Sequence, residues 1–139
     1  MPLDREAELR KYEFAYERSK YRMGVKRGND AQRDLAALPI RGSYLDVSCG
    51  RGEMLTYAES VGFNPVKGTE IVPKLIDGVR VVQAWAHKLP FLDGQFNVVT
   101  MLDVIEHLLP GDDERACHEL ARIARNYLLI TANNRPSMN

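Results

Sequence analysis

The side chains best placed for chemistry lie around a glycine-containing turn and an acid that follows it. Residues 44–47 (YLDV) are typical of a short buried strand, and residues 48–52 (SCGRG) predict a tight turn into a helix from Glu53 to Val61. Glycines in such a turn let a ligand approach the main chain closely. The helix presents unpaired N–H groups and a partial positive charge to that ligand. The pattern indicates the first strand–helix unit of a nucleotide-binding sheet.

The spacing of the glycines discriminates between nucleotides. A dinucleotide fingerprint requires G-x-G-x-x-G, and Leu55 occupies the third glycine position, so NAD and FAD are disfavoured. The stretch instead resembles the first motif of class I S-adenosylmethionine-dependent methyltransferases, D-x-G-x-G-x-G. Asp46, Gly50 and Gly52 match this motif, whereas Ser48 replaces its first glycine. The Ser48 hydroxyl would either hydrogen-bond the carboxylate or amine of the cofactor, or its bulk would weaken binding.

The acid expected to act together with this turn is Glu70. It ends a predicted second strand, Pro65–Glu70, about 20 residues beyond the glycine turn. A carboxylate at that place accepts hydrogen bonds from both ribose hydroxyls of a nucleotide. The alternative is a surface acid at the end of a strand, and the glycine turn upstream favours the ribose role.

A second stretch, residues 84–108, resembles a longer part of the same family's pattern. Trp85 stands where the family usually has an acid that accepts the adenine amino group, and Asn97 replaces a common aspartate. Trp85 either walls the adenine pocket or belongs to the core, and both interpretations stay open. The matching positions are Leu89, Pro90, Phe91, Asp93, Phe96, Val98 and Asp103–Leu108.

The resemblance implies S-adenosylmethionine as the cofactor and S-adenosylhomocysteine as the product. The residues that it places at the cofactor are Tyr21, Arg22, Asp46, Ser48, Cys49, Gly50, Gly52, Glu70, Ile71, Trp85, Ala86, His87, Leu102 and Asp103.

Asp103, Glu106 and His107 form the best candidate cluster for catalysis. On a predicted turn of helix, position 103 shares a face with positions 106 and 107, so their side chains converge. Asp103 and His107 are the candidate catalytic residues, because a histidine takes up a proton near neutral pH. The arrangement also resembles the magnesium-binding segment of two methyltransferase groups, which would make all three residues metal ligands. A purely structural role in bracing the helix is the remaining alternative.

Size and composition limit the class of protein. The 139 residues are interpreted as one domain, with a helical lid or cap over residues 1–43 and a cofactor-binding α/β core over residues 44–139. Lys and Arg number 19, as do Asp and Glu, so net charge indicates neither a nucleic-acid nor a membrane partner. The two cysteines, Cys49 and Cys117, form no metal or disulfide pattern, and a cytoplasmic location is expected.

The N-terminal part predicts a helix from Leu3 to Met23 and a second, short helix from Asp30 to Leu38. The first helix either packs on the sheet through its aromatic side chains or closes over the cofactor as a lid. In the lid interpretation, Tyr21 and Arg22 would lie near the cofactor carboxylate.

The remaining pattern predicts a Rossmann-like three-layer sandwich with a mostly parallel five-stranded sheet. Strands are expected at Val79–Ala84, Phe96–Leu102 and Tyr127–Ala132, with a helix from Asp112 or Asp113 to Arg125. The family's strand order is 3-2-1-4-5, and its usual last two strands find no place in this sequence. Strand five would then be an uncovered edge, so a homodimer, a partner subunit or the N-terminal helix is expected to cover it.

The function that these residues indicate is methyl transfer to an unidentified acceptor. Two alternatives stay open, because Ser48 and Trp85 depart from the family pattern. One is a non-catalytic partner or scaffold that binds the cofactor. The other is an enzyme that degrades S-adenosylmethionine without an acceptor.

Overall fold

The computed structural model describes residues 5–10 and 25–132. Residues 5–10 are helical and are called the N-terminal segment below. The helices that follow are α1 (Val25–Ala36), α2 (Glu53–Ser60) and α3 (Asp112–Ile123). The strands are β1 (Tyr44–Asp46), β2 (Val66–Glu70), β3 (Val81–Gln83), β4 (Phe96–Leu102) and β5 (Ala124–Thr131), and two short 3-10 helices span Pro73–Leu75 and Ile105–His107.

The five strands form one sheet in the order β3-β2-β1-β4-β5, and every pair is parallel. The predicted strand order is therefore confirmed. Tyr44 at the start of β1 is in register with Val66 of β2 and Val98 of β4. This register brings the carboxyl ends of β1, β2 and β4 to one edge of the sheet, which is where open α/β sheets bind ligands.

Two apolar clusters cover the two faces of the sheet. Tyr44 and Val98 point into the cluster beneath α1 and α2, whereas Leu45 and Val99 point into the cluster beneath α3. Successive residues of one strand thus serve opposite faces, and both faces are covered, as expected for a parallel sheet between helices. Leu120 of α3 completes the second cluster and is fully buried.

Two predicted boundaries were wrong by three residues or more. The helix expected to begin at Asp30 runs from Val25 to Ala36 and passes through Gly28, because burial of Ala31 and Leu35 outweighs the modest cost of a glycine inside a helix. Strand β5 begins directly after α3, at Ala124, rather than at Tyr127. The helix predicted from Leu3 to Met23 is described only over residues 5–10, and the rest of it lies outside the described residues.

Strand β5 is the outermost strand next to β4, and its middle is open to solvent. Tyr127 is 37% exposed and Leu128 is 38% exposed. Within the described residues, none of the helices has the length and apolar character needed to span a membrane.

Candidate functional site

The turn after β1 is held in an unusual backbone conformation. Ser48, Gly50 and Gly52 all have positive φ angles, of 60°, 58° and 80°. The Ser48 N–H donates to Oγ1 of Thr69 at 3.2 Å, and the Cys49 N–H donates to the Thr69 carbonyl at 2.8 Å, so β2 fixes the turn. A left-handed conformation at Ser48 is uncommon for a residue with a side chain and marks a constrained site.

Gly68 of β2 makes room for this turn, which the sequence pattern did not indicate. A Cβ atom at position 68 would lie 2.6 Å from Sγ of Cys49 and 2.9 Å from Cδ1 of Leu55. Both distances are too short for any real contact. The side chain of Cys49 therefore packs behind the turn against Gly68, rather than into the space in front of it.

Glu70 ends β2 with its side chain almost fully enclosed, at 4% exposure. The backbone N–H groups of Gly50 and Ile71 hydrogen-bond its carboxylate, yet Oε2 is buried and has no hydrogen-bond partner among the described residues. Burial and, to a smaller extent, the nearby Asp46 carboxylate raise the pKa of Glu70 to about 7. A buried acceptor without a donor is costly, and a ligand hydroxyl would relieve that cost.

Asp46 lies behind the turn in a buried polar network. Its Oδ1 accepts a hydrogen bond from Oγ1 of Thr100 at 2.7 Å, and the same Thr100 oxygen lies 2.5 Å from the Tyr44 hydroxyl. All three side chains are buried, and burial raises the pKa of Asp46 to about 7. Asp46 is thus held in the core by Thr100, close enough to Glu70 for its charge to raise the pKa of that carboxyl group.

Asp103 follows β4 and also has a positive φ, of 57°. Its N–H donates to the carbonyl and to Oγ1 of Thr131, at 3.0 and 3.1 Å, and the Thr131 hydroxyl donates to its Oδ1 at 3.1 Å. The end of the edge strand β5 therefore orients this carboxylate. Leu102, in contrast, is buried in the core beneath α1 and α2.

The predicted turn of helix at Asp103 was wrong. Only residues Ile105–His107 form a 3-10 helix, and Asp103 lies before it in the left-handed conformation, so the helical spacing does not apply. His107 Nε2 lies 3.6 Å from Oε1 of Glu106, and the His107 side chain is 44% exposed. In the described part of the chain, no three His, Cys, Asp or Glu side chains group closely enough to hold a metal ion.

The segment after β3 contributes Trp85 and Ala86 to the site, whereas the side chain of His87 points towards Asp112. Trp85 is half-buried and Ala86 is buried. His87 Nδ1 lies 3.6 Å from Oδ2 of Asp112, at the start of α3. Burial lowers the pKa of His87 and the Asp112 carboxylate opposes that shift. The side chain of His87 thus belongs to a group of charged side chains around Asp112, which also includes Arg5 and Arg115.

These elements surround one cleft, called the site cleft below, of about 430 Å³ including the part open to solvent. Most of its walls come from predicted site residues, and three contributors were not predicted: Glu8, Val104 and Leu108. Asp46, Cys49, Gly50, Gly52, His87 and Leu102 lie around the cleft without lining it, and Tyr21 and Arg22 fall outside the described residues. The lining residues are Glu8, Ser48, Glu70, Ile71, Trp85, Ala86, Asp103, Val104, His107 and Leu108.

The N-terminal segment brings Glu8 to the site cleft through Arg5. The Arg5 guanidinium donates to both carboxylate oxygens of Asp112, at 2.6 and 3.1 Å, and lies 5.5 Å from the centre of the Trp85 ring. Arg5 and Asp112 are 107 positions apart, and no local sequence pattern connects them. The sequence signal for this arrangement is limited to the spacing of Arg5 and Glu8, which places the two side chains on one face of a helix.

Comparison with known proteins places this geometry in a known family. A family model described as a methyltransferase domain matches residues 45–127, which is more than half of the chain. No curated protein is similar enough in sequence to count as a relative.

Solved structures share the fold. They include a protein of Pyrococcus horikoshii (TM-score 0.65, 24% identity, covering 77% of this chain and 56% of that one). Another is from Haloferax volcanii, in the complex with the Trm112 methyltransferase activator (TM-score 0.61, 20% identity, 71% and 48%). A third is an S-adenosylmethionine-dependent methyltransferase of Aquifex aeolicus (TM-score 0.58, 16% identity, 79% and 68%).

The chain spans about half the length of the first two of these structures. It keeps the family's strand order and its glycine turn, and the acid at the end of β2 is enclosed beside that turn. The chain therefore belongs to the methyltransferase domain family, with the fold of the class I S-adenosylmethionine-dependent enzymes.

Proposed function

We propose that this chain binds S-adenosylmethionine in the site cleft and transfers its methyl group to an acceptor, releasing S-adenosylhomocysteine. The observation that carries the proposal is the buried Oε2 of Glu70, which lacks a partner among the described residues and borders the cleft beside the glycine turn. A ribose diol supplies the donors that this carboxylate needs.

The remaining walls fit the other parts of the cofactor. Ser48, the first residue of the glycine turn, offers its main-chain atoms and its hydroxyl to the methionyl group. Ile71, Trp85 and Ala86 supply an apolar wall for adenine. Asp46, Cys49 and Leu102 do not line the cleft. Their side chains are buried in the core behind its walls, so their proposed role is to hold those walls in place.

The chemistry requires little covalent participation by the protein. The cofactor supplies a methyl group on a positively charged sulfur, which is already activated for transfer. The site cleft aligns the acceptor and excludes water. Asp103 and His107 line the cleft and are the proposed proton acceptors for an acceptor group that must lose a proton. Thr131 orients the first of these, and Glu106 lies beside the second.

The test is calorimetric titration of the full chain with S-adenosylmethionine and S-adenosylhomocysteine. Wild type is expected to bind with a dissociation constant in the micromolar range, and Glu70→Ala is expected to bind at least tenfold more weakly. Glu114→Ala, at a side chain that is 81% exposed on α3, is the matched control and should bind like wild type. Absence of binding to either compound would remove the basis of the proposal.

A second candidate, a cofactor-binding partner subunit, has its own support. Strand β5 is an exposed edge, and a structural neighbour is seen in complex with a methyltransferase activator. We propose that a second copy of this chain or a partner subunit covers β5. Cofactor binding without turnover on any acceptor would favour this role. Decay of S-adenosylmethionine without an acceptor would instead favour a degrading enzyme.

We also propose a cytoplasmic location. It is supported by the two cysteines, Cys49 and Cys117, which are both free thiols. Reducing compartments keep such thiols unpaired.

A further inference from the structure

The N-terminal segment is fixed over one end of the site cleft by a strong, specific contact. Arg5 makes a bidentate pair with Asp112, which is buried, and its guanidinium lies over the Trp85 ring. Paired N–H···O bonds of this kind are among the strongest polar contacts in proteins, and an arginine over an indole adds a cation–π attraction. Trp85 is itself a wall of the cleft.

Glu8 follows Arg5 by three positions, so both residues lie on the same face of the helical segment. Glu8 is only 7% exposed and lines the site cleft. Glu6, on the opposite face, has a side chain that is 91% exposed. The segment therefore presents one carboxylate to the cleft and another to solvent.

Three carboxylates line the site cleft, and each lies on a different element. Glu70 lies at the end of β2, where the proposed function places the ribose. Asp103 accepts a hydrogen bond from Thr131 at the end of β4. The flat apolar wall between Ile71 and Ala86 includes Trp85, whose indole N–H donates but cannot accept. A base on this wall needs an acceptor for its exocyclic amino group. Glu8 is the remaining carboxylate among the residues that line the cleft, and it lies three positions after the arginine whose guanidinium lies over Trp85.

We propose that Glu8 accepts a hydrogen bond from the amino group of the adenine base, and that Arg5 is the positioning residue that holds Glu8 there. This assignment rests on the proposed function. It makes the N-terminal segment part of the cofactor site and gives that segment the selection of adenine over other bases. An acceptor-only carboxylate repels the 6-oxo group that replaces the amino group in hypoxanthine.

The experiment compares S-adenosylhomocysteine with S-inosylhomocysteine, which carries the 6-oxo group, by calorimetric titration of the full chain. Wild type is expected to prefer the adenine compound at least tenfold. Glu8→Gln is expected to lose or reverse this preference, because an amide also donates to the 6-oxo group. Glu6→Gln, on the exposed face of the same segment, is the matched control and should keep the wild-type preference.

Arg5→Ala tests the positioning role. It retains the Glu8 carboxylate, so a fall in base preference together with retained binding of S-adenosylhomocysteine assigns Arg5 to positioning. Thermal melts of each variant show whether it is folded. If Glu8→Gln still binds S-adenosylhomocysteine and keeps the wild-type base preference, the role assigned to Glu8 is overturned and the proposed function stands. Failure of wild type to bind either compound overturns the proposed function as well.

Discussion

Glu70→Gln is expected to stabilise the ligand-free protein at alkaline pH while weakening its binding of cofactor. The pKa of Glu70 is raised from 4.5 to about 7, chiefly by burial. A carboxyl group whose pKa is raised on folding destabilises the folded state as pH rises, and the penalty grows between pH 4.5 and 7 and is constant above that range. Glutamine resembles the neutral carboxyl group in shape and removes the penalty.

The size of this stabilisation follows from the raised pKa of Glu70. About 2.5 pKa units at 1.36 kcal/mol each correspond to roughly 3 kcal/mol when the group is fully ionised. At pH 5 a smaller part of this penalty has developed, since Glu70 is still protonated in the folded state. The difference in unfolding free energy between variant and wild type should therefore increase by about 2 kcal/mol from pH 5 to pH 8.5. For a chain of this size that is a gain of roughly 5 to 10 °C in Tm.

The assay is thermal unfolding of both proteins at the two pH values without ligand. Glu6→Gln provides the control, because this side chain is 91% exposed and its ion pair is with Arg10. Since an arginine stays charged at both pH values, the difference of this variant from wild type should not vary with pH. A Glu70→Gln difference that is equal at pH 5 and pH 8.5 would refute the reasoning. It would mean that the Glu70 carboxylate is solvated in the folded state, and the argument for a ribose site would fail with it.

Three further predictions follow from other contacts. Gly68→Ala should lower stability by about 1–3 kcal/mol, because the added Cβ lies 2.6 Å from Sγ of Cys49; thermal melts measure the loss, Cys49→Ala in the same chain should restore part of it, and a melt equal to wild type would contradict the packing argument. Arg122→Ala should free residues 89–93, because Arg122 donates to the carbonyls of Leu89 and Phe91; hydrogen exchange should rise there and not in β1, and uniform exchange would count against this anchor. Leu128→Glu should shift an assembly formed through β5 towards monomer in light scattering, because it places a charge at an exposed position of that strand; an unchanged mass in a protein that is already oligomeric would place the interface elsewhere.

The strands and the turn were predictable because their signals are local. β1 and β4 carry apolar residues on both faces, as the neighbouring Val98 and Val99 of β4 illustrate, and this continuous apolar pattern is typical of a buried parallel strand. The glycines at positions 50 and 52 mark a turn by residue type alone. Both features depend on neighbours within a few positions of the chain.

The conformation after β4 was not predictable by the same means. Asp103 looks like the start of a helix by composition, yet its N–H and carboxylate are both bound by Thr131, 28 positions later. These tertiary contacts hold Asp103 at a φ of 57° and delay the helix to Ile105. Gly68 was missed for a similar reason, since the space it leaves is required by Cys49 on a neighbouring element.

The N-terminal segment shows how burial creates a requirement that only a distant residue satisfies. Asp112 begins α3, where an acid is favourable for the helix, and its sequence position suggests nothing more. The fold buries this carboxylate, and a buried charge must be paired. Arg115 supplies one donor at 2.8 Å, and Arg5 supplies two, which together hold the pKa of Asp112 at about 2. The need to pair one acid of the core thus fixes the segment that carries Glu8, so the stability of the fold and the shape of the site cleft depend on the same guanidinium.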